Sequence, residues 1–177
     1  SEKHQAALTY LEYALSEGVG FVVLTGEVGS GKTTLLRHFL KQYRSNVDVA
    51  VIFNASLDAE GLLKMALKEF GAPEAPENKV EALDVLNMHL VDRYAIGRKS
   101  ALVVDEAQNL TDEALEEVRM LTNLQTDKAA LLQIILVGQP ELRQRLRRPR
   151  FRQLAQRVTV SYHLRPLTLK ETAEYMV

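Results

Sequence analysis

The sequence predicts a three-layer α/β fold in which helices cover both faces of a mostly parallel five-stranded sheet. Short apolar runs of strand length are separated by segments with helical periodicity, so strands and helices are expected to alternate along the chain. The apolar runs are continuous, which is typical of parallel strands that are buried on both faces. A glycine-rich segment lies between the first apolar run and the helical segment that follows it.

These patterns place the individual elements. Strands are predicted at residues 21–25, 49–53, 101–104, 131–137 and 158–162. Apolar residues at spacings of three and four predict helices around residues 7–15, 35–43, 62–70, 80–95 and 114–124. Gly18 and Gly71 are expected to end two of these helices, and Thr111 is expected to cap the start of another.

Composition and charge indicate one globular domain. The chain has 177 residues, of which 46% are hydrophobic and 25% charged, and this is enough to bury a core. A net charge of −1 gives no general attraction to nucleic acid, and no apolar run approaches the roughly 18 residues that a membrane helix needs. The absence of cysteine excludes disulfides and thiolate metal sites, and residues 1–4 do not resemble a signal peptide. The expected location is the cytoplasm.

The glycine-rich segment has the pattern of a phosphate-binding loop. Residues 26–33 read Gly-Glu-Val-Gly-Ser-Gly-Lys-Thr, which matches G-x-x-x-x-G-K-[ST] between a predicted strand and a predicted helix. Glycines let successive backbone N–H groups turn inward, and the helix N-terminus adds partial positive charge for a polyphosphate. Lys32 is expected to reach the β- and γ-phosphates of ATP, and the Thr33 hydroxyl to bind Mg²⁺. The predicted nucleotide-binding residues are Gly26, Glu27, Val28, Gly29, Ser30, Gly31, Lys32, Thr33 and Thr34.

Two acidic residues follow the predicted strand at residues 101–104. In open α/β sheets, ligands collect at this carboxyl edge. Asp105 is expected to hold Mg²⁺, and Glu106 to orient the water that attacks the γ-phosphate. An acidic cap after a strand is the alternative interpretation, and the phosphate loop makes the catalytic one preferable.

Polar residues also follow two other predicted strands. Asn54 comes after the second strand and Gln139 after the fourth, and both are predicted to face the γ-phosphate as catalytic residues. Each is also an ordinary turn or cap residue. For Gln108, a role at the entry to the next helix is as plausible as a catalytic one.

An arginine-rich segment spans residues 143–157. It contains arginines at positions 143, 145, 147, 148, 150, 152 and 157. A solvated helix face paired with acidic residues is the preferred interpretation for most of them, and a surface for nucleic-acid phosphates is an alternative. Arg157 precedes the last strand, so it is predicted to reach the γ-phosphate of a neighbouring subunit as an arginine finger, with Arg152 as the second candidate.

Taken together, these residues resemble the AAA+ branch of the P-loop ATPases, the branch with an additional strand and a catalytic glutamate. Residues 104–110, 121–126, 133–142 and 154–157 resemble the ExeA/GspA group of secretion-associated ATPases more narrowly. This resemblance implies ATP hydrolysis with Mg²⁺, self-association into an AAA+ oligomer, and envelope or inner-membrane assembly proteins as partners. Related ATPases serve type II secretion, MSHA-type pilus assembly, and exopolysaccharide or exosortase loci.

The resemblance also divides the chain. Residues 1–165 are expected to form the nucleotide-binding core, and residues 166–177 the start of a truncated lid helix, with a capping-box pattern at residues 168–171. Family members often continue into a membrane helix, which implies a position at the cytoplasmic face of the inner membrane. The alternative is a transposition ATPase of the TniB or Mu B type, in which the arginine-rich segment would contact DNA.

Overall fold

In the computed structural model, the described residues are 2–43, 45–53, 56–72 and 76–166. The strands are β1 Phe21–Gly26, β2 Val47–Ile52, β3 Lys99–Val104, β4 Gln133–Gly138 and β5 Val160–Leu164. The α-helices within these ranges are α1 Glu2–Ser16, α2 Lys32–Tyr43, α3 Ala59–Phe70, α4 Lys79–Ala95, α5 Asp112–Leu121, α6 Pro140–Leu146 and α7 Arg152–Gln156. The predicted helix after residue 166 lies outside the described residues, so the division at residue 165 stays a prediction.

The five strands form one sheet in the order β2-β3-β4-β1-β5, and every pair of neighbours is parallel. This arrangement confirms the predicted α/β class. β4 lies between β1 and β3, and the carboxyl ends of all three strands meet at the same edge. The loops after these strands are therefore brought together, although 72 residues separate Thr33 from Asp105.

Both faces of the sheet are buried, as the continuous apolar runs predict. One face packs against α1 and α2, and its core includes Leu11, Leu36 and Phe39. The other face packs against α3 to α7. Because side chains alternate along a strand, Val22 contributes to the first core and Val23 to the second.

Local signals set several helix ends. Gly71 adopts a left-handed conformation with φ 72° and ends α3, as predicted. The Thr111 hydroxyl accepts a hydrogen bond from the Ala114 N–H at 3.2 Å and caps α5, also as predicted.

Helices α6 and α7 were not predicted as separate elements. Both are short, and the arginines that dominate their sequence conceal the few apolar positions that anchor them. Those anchors are Leu142, Leu146 and Leu154, which are buried in the second core. None of the helices in the described part of the chain combines the length and apolarity of a membrane span.

Candidate nucleotide-binding site

The predicted phosphate loop connects β1 to α2 and closes tightly against its surroundings. Gly29 and Gly31 adopt φ values of +76° and +84°, which residues with a Cβ rarely adopt. A glycine is needed at position 26 because the loop backbone lies directly against β5. An added Cβ there would lie 2.6 Å from the backbone oxygen of Leu164. His4 on α1 supports the loop from behind: its Nε2 lies 3.0 Å from the carbonyl oxygen of Ser30.

Lys32 is the first residue of α2, and its side chain folds back over the loop. Its Nζ donates to the carbonyl oxygens of Gly26 at 2.7 Å and Glu27 at 2.8 Å. Burial lowers the pKa of Lys32, and the nearby carboxylates, with Glu106 first, act in the opposite direction. A buried ammonium group at a helix N-terminus is therefore surrounded by acceptors that a polyphosphate can replace.

Thr33 and Asp105 meet directly across the site. The Thr33 hydroxyl donates to Asp105 Oδ2 at 3.0 Å, and Asp105 is only 2% exposed. The second carboxylate oxygen, Oδ1, accepts from the backbone N–H of Glu106 at 2.9 Å. The structure thus brings together the two residues that the sequence assigned to the metal.

Glu106 has a backbone conformation that is unusual for its residue type. Its φ is 53°, and within the described residues it is the only non-glycine residue with a positive φ. Strained backbone of this kind concentrates at functional sites. Glu106 and Gln139 line one cleft of about 220 Å³ together with residues of the phosphate loop and the start of α2. The loop and helix residues that line it are Val28, Gly29, Gly31, Lys32, Thr33 and Thr34.

Of the two polar residues predicted to follow β2 and β4, the structure describes only Gln139. Gln139 occupies the N-cap position of α6 without a side-chain capping hydrogen bond, and it lines the cleft. Its predicted catalytic role stays a prediction. Asn54 lies outside the described residues, so its predicted role remains a prediction.

Gln108 contacts the site more closely than sequence reasoning indicated. It lies in a 3-10 turn at Ala107–Asn109, and its Nε2 donates to Glu106 Oε2 at 2.5 Å. Its Oε1 accepts from the backbone N–H of Gln139 at 3.0 Å. The signal in the sequence was its position two residues after Glu106, but the contact with residue 139 depends on the order of the strands.

A family model described as "AAA domain" matches residues 15–146. The chain belongs to the AAA+ ATPase family. Among curated proteins, it is 47% identical over 177 residues to general secretion pathway protein A of Aeromonas hydrophila, covering 99% of this chain and 32% of that protein. This confirms the resemblance to the ExeA/GspA group.

A second curated relative is the Mu-like prophage FluMu DNA transposition protein B of Haemophilus influenzae (strain ATCC 51907 / DSM 11121 / KW20 / Rd). The two are 31% identical over 122 residues, which cover 69% of this chain and 39% of that protein. The chain therefore spans about a third of the length of the curated relatives that it matches.

Solved structures confirm the fold. Cdc6p from Pyrobaculum aerophilum is 19% identical with a TM-score of 0.78, covering 97% of this chain and 48% of that one. The ORC1 protein of Aeropyrum pernix, solved in complex with DNA, is 16% identical with a TM-score of 0.72, and the match covers 96% of this chain and 47% of that one. At these identities the likeness shows the AAA+ fold alone.

The arginines of the segment at residues 143–157 divide into two groups. Arg145 bonds to Asp112 at 2.7 Å, so it is paired with an acid as expected, but it is only 14% exposed and therefore does not lie on a solvated face. Arg150 also bonds to Asp112, at 3.0 Å. A second group is exposed, and within the described part of the chain none of its members has a carboxylate within ion-pair distance: Arg143, Arg147, Arg148, Arg152 and Arg157.

Arg157 lies away from the cleft of its own subunit. It follows α7, and Thr159, two residues later, bonds to the carbonyl oxygen of Phe21 at the amino end of β1. The phosphate loop follows the carboxyl end of the same strand, about 16 Å further along at 3.3 Å per residue. Arg157 is therefore not brought together with Lys32 or Glu106 of its own chain. Its predicted role as an arginine finger stays a prediction.

Proposed function

We propose that this AAA+ chain binds ATP with Mg²⁺ at the cleft and hydrolyses it. The observation that carries the proposal is the 3.0 Å contact between the Thr33 hydroxyl and Asp105, with Thr33 and Glu106 both lining the cleft. A phosphate cradle, a pair of metal ligands and a carboxylate for the attacking water are the parts that ATP hydrolysis requires.

The residues present fit a magnesium ion. Mg²⁺ prefers oxygen ligands and is usually held by one or two protein groups together with waters and substrate phosphates. The Thr33 hydroxyl and the Asp105 carboxylate are such a pair, and among the described residues no cluster of three or more His, Asp or Glu side chains offers another metal site. When bound, Mg²⁺ would neutralise charge on the β- and γ-phosphates.

Each remaining residue has a defined part in this proposal. Lys32 exchanges its two carbonyl acceptors for phosphate oxygens and compensates negative charge. Glu106 accepts a hydrogen bond from the attacking water and orients it, while Gln139 and Asn54 contact the γ-phosphate side of the site. Arg157 completes the site of a neighbouring subunit, so activity is expected to depend on self-association.

Hydrolysis is proposed to energise or regulate assembly of an envelope secretion, pilus or polysaccharide-export machine. The support is the 47% identity to general secretion pathway protein A over 99% of this chain. In this proposal the core works in the cytoplasm or at the cytoplasmic face of the inner membrane, with inner-membrane assembly proteins as partners.

A DNA-dependent function is the second candidate. Two observations favour it: the relative named as a DNA transposition protein, and the exposed arginines that have no ion pair with any described residue, which include Arg143, Arg147 and Arg152. Fluorescence anisotropy with duplex DNA at two salt concentrations separates the candidates. Salt-sensitive, ATP-stimulated binding supports the DNA function, and no binding at low salt eliminates it.

The metal pair offers a sharp test of the site. Thr33→Val removes the hydroxyl while conserving shape, so Mg²⁺-dependent ATP binding is expected to fall by at least tenfold, equal to about 1.4 kcal/mol. Thr33→Ser keeps the hydroxyl and is expected to restore most of the affinity. Isothermal titration with MgATP measures both, and equal affinities of Thr33→Val and wild type would contradict the proposed metal site.

A further inference from the structure

The side chain of Gln108 connects the carboxylate of Glu106 to the strand end at Gln139. Its amide nitrogen donates to Glu106 Oε2 at 2.5 Å, and its amide oxygen accepts from the Gln139 N–H at 3.0 Å. An amide has one donating end and one accepting end, so these two partners fix its orientation. Glu106 is thereby held by one carboxylate oxygen. Its other oxygen, Oε1, has no hydrogen-bond donor among the described residues.

The backbone near the Gln108 amide leaves space for it. A Cβ at Gly138 would lie 2.7 Å from Gln108 Oε1, so a side chain at that position would push the amide away. Glu106 itself has a φ of 53°, which sets the direction in which its side chain leaves the backbone. The contact therefore depends on the left-handed backbone of Glu106 after β3 and on the absence of a Cβ at Gly138, the last residue of β4.

Arg145 fixes the turn that carries Gln108. One of its guanidinium nitrogens, Nη1, donates to the carbonyl oxygens of Gln108 at 2.8 Å and Leu110 at 2.6 Å. The other, Nη2, donates to Asp112 Oδ1 at 2.7 Å. The hydrogen bond from Arg145 is the main reason that the pKa of Asp112 lies below its usual range. A residue of α6 thus holds the turn between the catalytic acids and α5.

We infer that Gln108 is a positioning residue for Glu106, and that Arg145 transmits the position of α6 to it. The inference rests on the proposed function, in which Glu106 orients the attacking water. Gln108 holds Oε2 and leaves Oε1 to accept from that water, so it acts through Glu106 and not on the nucleotide. Arg145 lies in the same arginine-rich segment that carries Arg157, so a neighbour bound to this segment would be coupled to Glu106 through a continuous set of hydrogen bonds.

Two substitutions separate the contacts of Gln108. The side chain of Met in Gln108→Met is about as long as that of Gln and makes neither hydrogen bond. The side chain of Glu in Gln108→Glu can still accept from the Gln139 N–H, but it places a second carboxylate against that of Glu106. Both are expected to lower kcat by about tenfold, or about 1.4 kcal/mol in activation free energy, with the Kd for MgATP within twofold of wild type. Gln144→Met, at an exposed position on α6, is the matched control and is expected to leave kcat and Kd unchanged.

A purely structural role for Gln108 predicts different results. If its only contribution were to fix the strand end at Gln139, Gln108→Glu would retain wild-type kcat because it keeps that acceptor. Wild-type kcat in either Gln108 variant would overturn the inference. A parallel rise in KM and Kd with unchanged kcat would also overturn it, because it would place Gln108 at the nucleotide.

A double-mutant cycle tests whether Gln108 acts through Glu106. In the Glu106→Gln background, Gln108→Met is expected to change the single-turnover rate of [γ-³²P]ATP hydrolysis by less than twofold, because the carboxylate that it positions is gone. A further tenfold loss there would show that Gln108 acts elsewhere. If Glu106→Gln itself hydrolyses ATP like wild type, the proposed function fails. If Glu106→Gln is impaired but Gln108→Met is not, only this inference fails.

The contribution of Arg145 is tested in the same assay. Arg145→Lys keeps a positive charge near Asp112 but cannot donate from two nitrogens to three acceptors at once. It is expected to lower kcat by about the same tenfold factor as Gln108→Met. Combined with Gln108→Met, it is expected to produce no further loss. Additive losses would show that Arg145 does not act through Gln108.

Discussion

Replacing Gly31 with alanine tests the geometry of the phosphate loop. A φ of +84° costs a residue with a Cβ about 1–2 kcal/mol. The new Cβ would also lie 2.6 Å from His4 Nε2, so the imidazole must move and lose its hydrogen bond to Ser30, worth about 1 kcal/mol. The expected loss in the free energy of unfolding is therefore about 2–3 kcal/mol, or about 5–10 °C in Tm for a chain of this length.

Gly29→Ala provides the matched control. Its φ is +76°, but nothing lies within 4 Å of an added Cβ, so only the backbone cost of about 1–2 kcal/mol is expected. Urea denaturation followed by circular dichroism measures both variants. In the double variant His4→Ala/Gly31→Ala, the clash is removed, and the loss is expected to be smaller than the sum of the single losses. A Gly31→Ala variant no less stable than Gly29→Ala would refute the proposed contact between α1 and the loop.

Two further predictions concern the free energy of unfolding. Burial alone would raise the pKa of Asp48, but hydrogen bonds and charges from Arg93 and Arg98 lower it overall. Asp48→Asn is therefore expected to cost about 2 kcal/mol at pH 7, measured by urea denaturation. Because the folded pKa is depressed, this difference is present above the unfolded pKa of about 3.9 and disappears as pH falls through the folded pKa. An undiminished difference at pH 2.5 would contradict this assignment. Leu115→Ala is expected to cost about 3 kcal/mol, because Leu115 is fully buried on α5. Met120→Ala, at an exposed position on the same helix, is expected to cost under about 0.5 kcal/mol, and equal losses would contradict the packing.

The sheet could be predicted from the sequence because burial on both faces leaves an unbroken apolar signature in each strand. The predicted strands differ from the observed ones mostly by one or two residues at their ends. Polar first residues explain part of this: Lys99 begins β3 and is exposed, so apolarity alone starts the strand too late. Helices α6 and α7 could not be predicted in the same way, because only a few of their residues face the core.

The candidate site was predictable to the extent that it is local in the sequence. The phosphate loop and the acidic pair carry their chemistry in adjacent residues, so their pattern indicates a site before any fold is known. The contact between Gln108 and Gln139 spans 31 residues and exists only because β4 lies beside β3. The inward orientation of Arg145 was hidden for a different reason: six other arginines in the same segment made it look like one of a solvated set.

Comparing Glu106→Gln with wild type tests whether Glu106 activates water for ATP hydrolysis at this cleft. The assay measures phosphate release and MgATP affinity on the same samples, with Glu60→Gln on the exposed surface of α3 as the control. We expect Glu106→Gln to bind MgATP like wild type and to turn over at least 10²-fold more slowly, the loss typical of a catalytic acid–base group. Equal rates of phosphate release from Glu106→Gln and wild type would contradict this role of Glu106.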